Sequence, residues 1–480
     1  MDYDVCIIGG GPAGYLAGIR AAQLGAKTAV IEMDELGGVC TNRGCIPTKA
    51  LLEVSGPLLL SGKWADMGLG VKCSLDIKQA MGRMHDVVGY VRAGIHALLD
   101  AHGVAMIKGR AQIIDRYTVG ITLPSSGLSA SVDEGVRTKS VLIATGSVPS
   151  MPDIQGAGHD TVLSSDGLFM MSEVPERVAI VGGGAIGIEY ATILKSFGTK
   201  RVVLIEFMDR LLPFMDPAIG AYERDLMERL GIEVILSHKA TKASKSGKGI
   251  RLEIVPASGS AQSGIGPLDV DKVFAVTGKK PNTAGLGLDT IGVSAPRGWV
   301  DVNRAMRTSV DNVYAAGDVN GIKLLAHAAF HQGMIAVENM LGQEKLFEPG
   351  LVPSVVYSIP PVAQVGMDEV SARKAGMDVK TGVFDLANNP MSLVHGDPSG
   401  FIKVLSDTRY GRVLGASIAG ESAYELISVF ALGIAGEVTL DELRRTVFAH
   451  PSLAEGIAES AWAVDGLSQH TISTKNGVQK

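Results

Sequence analysis

The stretch DVCIIGGGPAGYLAGIRAAQLGAKTAVIE, Asp4 to Glu32, decides the fold. It opens with a continuous apolar run, the mark of a strand buried on both faces. Gly9, Gly11 and Gly14 follow at GxGxxG spacing. The first glycine permits a tight turn, the second lets backbone approach a pyrophosphate, and the third lets the next helix pack on the strand. The helix then offers free N–H groups to phosphates. A second strand ends in Glu32, placed to accept from ribose hydroxyls.

The unit recurs as VAIVGGGAIGIEYATILKSFGTKRVVLIE, Val178 to Glu206, with Gly182, Gly184 and Gly187 in the same spacing. Ile186, Tyr190, Ile193, Leu194 and Phe197 are expected on one helix face. Glu206 closes the second strand. A carboxylate there favours a free 2′-hydroxyl and repels a 2′-phosphate, which predicts NAD rather than NADP. One GxGxxG is a weak signal, but two in full strand–turn–helix–strand context are a strong one. Two dinucleotide sites in one chain imply an electron path, typically between nicotinamide and flavin. VLIATGS (Val141–Ser147) and NVYAAGDV (Asn312–Val319) each read as a strand ending in a small-residue turn. In the second, Asp318 can reach a ribitol or ribose hydroxyl.

GVCTNRGCIPTK, Gly38 to Lys49, holds two of the four cysteines, Cys40 and Cys45; the others are Cys6 and Cys73. Cys6 lies inside the first strand and reads as a buried small hydrophobe. Cys73 has no neighbouring cysteine and reads as structural. A closed zinc site needs about four N/S ligands, and this stretch has two. A staple closing so short a loop constrains the unfolded chain little. In a regular helix an i,i+5 pair diverges by roughly 140°. A bridge there would be strained, and strained bridges are the labile kind. Gly44 gives the backbone room to distort, and Pro47 suits the first turn of a following helix. A redox-active pair is the expected reading.

The GGxCxNxGCIPxKALL pattern, with both glycine fingerprints, resembles the pyridine nucleotide–disulfide oxidoreductases, the flavoprotein disulfide reductases. The resemblance runs over essentially the whole chain and is strongest to the members that oxidise dihydrolipoamide. It implies an α/β fold with two Rossmann-like domains, FAD-binding near 1–150 and NAD-binding near 151–277. A central domain at 278–347 would complete the FAD site, and an α+β interface domain would fill 348–480. It implies that Cys40 is the thiol facing the substrate, that Cys45 lies against the flavin, and that Lys49 sits near the flavin ring. FAHPSLAE, Phe448 to Glu455, resembles the family's HxHPTxSE segment. His450 would be the base and Glu455 its orienting carboxylate, with the histidine coming from the other subunit of a homodimer. Glu189 matches a family position near the nicotinamide. Gly38, Gly109, Thr145, Gly146, Ser147, Leu325, Ala326, His327 and Gly278 complete the expected cofactor-binding positions.

Departures from the family pattern are Val39 for threonine, Lys279 and Lys280 for arginines, Phe448 for the first histidine, and YSIPP (Tyr357–Pro361) for YTxPE. The expected activity is oxidation of protein-bound dihydrolipoyl groups with NAD⁺. The expected partners are lipoyl-bearing proteins of 2-oxo acid dehydrogenase or glycine cleavage complexes. Two alternatives remain: an NAD(P)H-dependent reductase of another low-molecular-weight disulfide, or a flavin-bound docking subunit of a multienzyme complex.

The bulk properties agree with such a chain. At 480 residues it exceeds one hydrophobic core. A net charge of −6 leaves no footprint for nucleic acid or an anionic membrane surface. No apolar run reaches spanning length. The opening MDYD carries no basic leader and no Arg/Ser-rich transit peptide, and a cytoplasmic protein, or a mature organelle form, is expected. PASGSAQSGIGP, Pro256 to Pro267, reads as a hairpin tip.

Overall fold

A computed structural model describes residues 1–123, 134–158, 160–258 and 265–472. The chain forms two compact units, one of residues 1–51, 78–150 and 278–349, the other of 52–77, 151–277 and 350–480.

In the first unit the apolar run Tyr3–Ile8 is a central parallel strand. It lies between Thr28–Glu32 and Glu134–Ile143, with Cys6 opposite Ala29 on one side and Val141 on the other. Ala105–Lys108 and Val313–Ala315 extend the parallel sheet at its two ends. Val5, Cys6, Ile7 and Ile8 are all buried although they point alternately to the two faces, which accounts for a continuous apolar run rather than an alternating one. Cys6, Ile8, Ile31, Val141, Ile143 and Val313 share one buried cluster, and each large side chain contributes roughly 1.5–3 kcal/mol by leaving water. Burial pushes the Cys6 thiol up to about 12, so it stays an inert thiol, as its place in the sequence predicts. Helix Pro12–Gln23 packs on helix Ala326–Met340, with Tyr15 edge-on to Phe330 at 6.0 Å between ring centroids.

The second unit repeats the arrangement with Arg177–Val181 in the middle of a parallel sheet, flanked by Arg201–Ile205 and Lys272–Ala275. The helix between the first two strands, Ala185–Ser196, departs from the one-face expectation. Gly187 through Leu194 are all buried, while Ile186 is only partly so. Neighbouring segments cover this part of the helix on every side, Glu189 and Thr192 included. Strands Gly249–Pro256 and Leu268–Val270 pair antiparallel around the expected hairpin tip, of which 259–264 lie outside the described residues. Residues 354–419 form a five-stranded antiparallel sheet. Its core includes Ile418, Phe430 and Ile457, with Phe448 packed against its edge. Among the described residues no helix is long and apolar enough to cross a membrane.

Candidate active site

The two cysteines flank a helix break. Helix Gly38–Arg43 ends at Gly44, whose φ of −146° and ψ of −109° lie outside the helical region, and a new helix, Cys45–Asp66, starts at once. The break removes the divergence that a continuous helix would impose. The two thiols instead meet and share a hydrogen bond. A β-carbon on Gly44 would lie 2.9 Å from the Val39 carbonyl oxygen and 3.4 Å from the Cys40 α-carbon, so the close return requires glycine. Pro47 falls in the first turn of the second helix, as predicted, where no N–H is needed. Lys49 stands one turn beyond Cys45 on the same face and acts electrostatically on Cys40. Hydrogen bonding to Cys45 and burial hold the Cys40 thiol well above its ordinary range, and Lys49 opposes them. A thiol in that condition needs an external base to become a nucleophile.

This segment is held against the first glycine loop. Gly38 has φ of +58°, and a β-carbon on it would lie 2.8 Å from the Gly11 α-carbon. The Asn42 amide donates to the Leu36 and Gly38 carbonyls at 3.0 and 2.9 Å, tying helix to loop. Gly14 abuts Gly9 so closely that a β-carbon would fall 1.8 Å from the Gly9 carbonyl oxygen, and Gly187 repeats this against Gly182 at 1.9 Å. These close approaches are what the third glycine of each fingerprint was expected to allow.

The residues fit an FAD-like ligand in the first unit. Helices Pro12–Gln23 and Ala326–Met340 both begin without a side-chain cap, at Gly11 and Leu325, leaving first-turn N–H groups for an acceptor. The Thr145 hydroxyl is buried with no hydrogen-bond partner, and a β-carbon on neighbouring Gly146 would meet nothing within 4 Å. Glu32 accepts from the Gly10 and Asp34 N–H groups, both at 2.7 Å. Each oxygen has one such bond and keeps capacity for a hydroxyl. A cleft of about 880 Å³ beside Glu32 is lined by Leu36, Arg92, His96 and Lys108. Gly109 donates its N–H to the Glu32 carbonyl at 2.9 Å. Asp318 receives the Ser147 hydroxyl at 2.5 Å. Burial raises its carboxyl, against which Ser147 and Lys279 act, so one departure from the family pattern still supplies a cation here. His327 stands in the first turn of its helix, partly exposed rather than in the core.

The residues at the corresponding place in the second unit fit an NAD-like ligand. Glu206 accepts from Gly183 N–H at 2.5 Å and Met208 N–H at 2.8 Å. It lines a cleft of about 780 Å³ with Gly182, Phe207, His238, Thr241 and Thr277. Helix Ala185–Ser196 starts at Gly184 without a side-chain cap. Arg210, the nearby cation, spends its guanidinium on the Pro213 carbonyl at 2.9 Å. Gly278, which the sequence placed among the cofactor positions, falls in the first unit, with φ of +138° and open space where a β-carbon would stand. Glu189 is buried and accepts from Tyr357 N–H at 3.1 Å.

His450 and Glu455 meet as the sequence predicts, Nδ1 to Oε1 at 2.9 Å. With Glu455 a carboxylate, Nδ1 donates and Nε2 is left as the acceptor on an exposed ring. Glu455 opens helix Glu455–Ala463, where the dipole favours an anion. Burial alone would raise its carboxyl, but His450 and the Ser452 N–H outweigh it and hold the group below its ordinary range. This dyad belongs to the second unit and the cysteine pair to the first.

The residue 3–333 segment matches the family described as pyridine nucleotide-disulphide oxidoreductase, and residues 352–461 match that family's dimerisation domain. The chain belongs to this family. Among its relatives, the dihydrolipoyl dehydrogenase of Rhizobium etli is 35% identical, covering 96% of this chain and 97% of that protein. The dihydrolipoyl dehydrogenase of Thermus scotoductus is 37% identical, covering 98% and 99%. The solved structure of the HOCl-induced flavoprotein disulfide reductase RclA from Escherichia coli superposes with a TM-score of 0.82 at 27% identity, covering 96% of this chain and 99% of that one.

Two features of this oxidoreductase are absent from the motif reading. Tyr15 lies near Cys40, and burial, with that neighbour adding to it, raises its hydroxyl above the ordinary range. A second pair, His470 with Glu459 at 2.9 Å, sits one turn along the helix from Glu455. Glu459 also takes the Ser468 hydroxyl at 2.6 Å, anchoring the chain beyond the helix. Glu459 and His470 are 11 residues apart and share no helical spacing that marks the second pair beforehand.

Proposed function

We propose that the chain is an FAD- and NAD-dependent dihydrolipoyl dehydrogenase acting as a homodimer on lipoyl groups carried by separate proteins. The observation that carries this is the Cys40–Cys45 meeting at the Gly44 break, within a chain aligned end to end with dihydrolipoyl dehydrogenases. FAD, when bound, would take the electrons from the reduced cysteine pair, and NAD⁺ would take them from the flavin as hydride. Gly9, Gly11, Gly14, Glu32 and Asp318 would hold the first, with the turn Thr145–Ser147. Gly182, Gly184, Gly187 and Glu206 would hold the second, with Glu189 toward the nicotinamide. The domain roles at 1–150, 151–277, 278–347 and 348–480 belong to the same reading.

The chain's own groups then act in order. His450 Nε2 takes a proton from one substrate thiol, and the resulting thiolate attacks Cys40 Sγ of the oxidised pair. The Cys40–Cys45 bond breaks and Cys45 leaves as a thiolate. The second substrate thiol attacks the substrate sulfur of the mixed disulfide and passes its proton to the departing Cys40, which leaves as a thiol as the cyclic lipoyl product forms. Glu455 holds the imidazole for the transfer and stabilises its charged form. In a homodimer the dyad comes from the partner subunit. A cytoplasmic setting suits a cysteine pair that must cycle rather than stay oxidised.

Initial rates of NAD⁺ reduction by dihydrolipoamide, beside NADPH oxidation by glutathione disulfide, test the reading. Fast NAD⁺ reduction alone supports it; turnover only with NADPH and another disulfide replaces it with a reductase of that disulfide. Cys40→Ser should abolish dithiol turnover while the protein stays yellow, and retained turnover would sink the assignment.

A further inference from the structure

Glu223, on helix Pro217–Arg229, is fully buried at 0% exposure. The motif reading gives it no role. Ser358 Oγ lies 2.5 Å from its Oε1 and 2.7 Å from the Pro360 carbonyl oxygen. A hydroxyl has a single hydrogen, so Ser358 cannot donate fully to both. A proton on Glu223 resolves the count, because the carboxyl then donates to Ser358 and Ser358 donates on to Pro360. The other oxygen, Oε2, is buried with no hydrogen-bond partner, a condition a neutral carboxyl bears far better than an anion. Among the described residues, Glu189 acts electrostatically on Glu223, and Glu223 acts on the adjacent Tyr222. Glu189 in turn holds the N–H of Tyr357, the residue next to Ser358. Two neighbouring buried acids thus grip consecutive residues of one segment.

We infer that Glu223 is a positioning residue that carries a proton in the working enzyme, fixes the Tyr357–Pro360 segment through Ser358, and thereby holds Glu189 in place for the nicotinamide. This rests on the proposed role of Glu189. Burial and the Glu189 charge push the Glu223 carboxyl up to about 8, while Ser358 opposes them. Above that pH a second anion forms beside Glu189, Ser358 must turn from Pro360 to meet it, and the grip on Tyr357 loosens.

The experiment uses the FAD-loaded enzyme between pH 6 and 9.5. The KM for NAD⁺ in wild type should rise at least about threefold through pH 8, and in Glu223→Gln, which is neutral at every pH, that rise should vanish. An equal rise in both proteins overturns the inference. Infrared spectra give a readout independent of turnover: wild type should show a protonated-carboxyl band at pH 7 that is lost at pH 9.5 and missing from Glu223→Gln. Its absence from wild type at pH 7 overturns the inference even if no activity is found. Should Glu223→Gln fail to fold, Ser358→Ala breaks the same relay and should raise the KM for NAD⁺ already at pH 7; an unchanged value overturns the inference. Absence of NAD⁺ reduction by dihydrolipoamide, with the carboxyl band present, would count against the proposed activity and leave the protonated Glu223 standing.

Discussion

The Gly44 α-carbon sits so close to the Val39 carbonyl oxygen that a β-carbon there would approach to 2.9 Å. That contact lets the chain double back between Cys40 and Cys45. Gly44→Ala should push the two helices apart and cost about 1–3 kcal/mol in overpacking. Dithiol turnover should fall at least about tenfold through misplacement of the sulfurs. Stopped-flow reduction of the enzyme by dihydrolipoamide, with thermal unfolding alongside, checks both expectations.

The His450–Glu455 contact makes a separate prediction. Glu455→Gln keeps a hydrogen-bonding group but loses the charge that supports an imidazolium, so turnover with dihydrolipoamide should fall roughly 10²-fold. Reduction of the enzyme by NADH, which needs no proton taken from a dithiol, should change little. Because the Glu455 carboxyl is held below its ordinary range, its stabilising contribution is present above that range and is lost as pH falls through it. Acid unfolding of Glu455→Gln should therefore begin from a lower stability but fall less steeply.

Glu206 braces the second glycine loop through Gly183 and Met208. On the proposed reading, Glu206→Gln removes a charge that would repel a 2′-phosphate while leaving an oxygen to accept one of those bonds. The preference for NAD⁺ over NADP⁺, read as the ratio of kcat/KM values, should narrow about tenfold. An unchanged ratio would place the discrimination elsewhere.

Glu223 also predicts a stability profile. Its folded carboxyl is raised from an ordinary 4.5 to about 8. The folded protein therefore binds a proton that the unfolded chain gives up, and stability declines as pH rises between those values. At about 1.4 kcal/mol per pH unit, the penalty approaches roughly 3 kcal/mol at pH 7 as an upper limit. Glu223→Gln should raise Tm relative to wild type more at pH 8 than at pH 5. Calorimetry at the two pH values decides.

Much of this was legible beforehand because it rests on local chemistry. Glycine spacing fixes a strand–turn–helix, and both Gly14 and Gly187 lie where only backbone fits. His450 and Glu455 lie close in sequence and meet across one turn. The helix break at Gly44 was readable as room to distort, although the thiols' meeting depends on dihedrals that spacing alone does not specify. Helix Ala185–Ser196 misled a one-face reading because its covering comes from segments distant in sequence. Glu223 was illegible for the same reason: Ser358 is 135 residues away, and an acid among polar helix residues ordinarily faces water.

The contact of Gly11 with Gly38 has a consequence for how the protein can vary. Neither residue has a side chain to trim, and a β-carbon on Gly38 would lie 2.8 Å from the Gly11 α-carbon. A substitution at Gly38 therefore has no compensating change at its partner. The distance between the first glycine loop and the cysteine helix is shielded from gradual adjustment at that point, and any drift in the spacing must enter through residues around the pair.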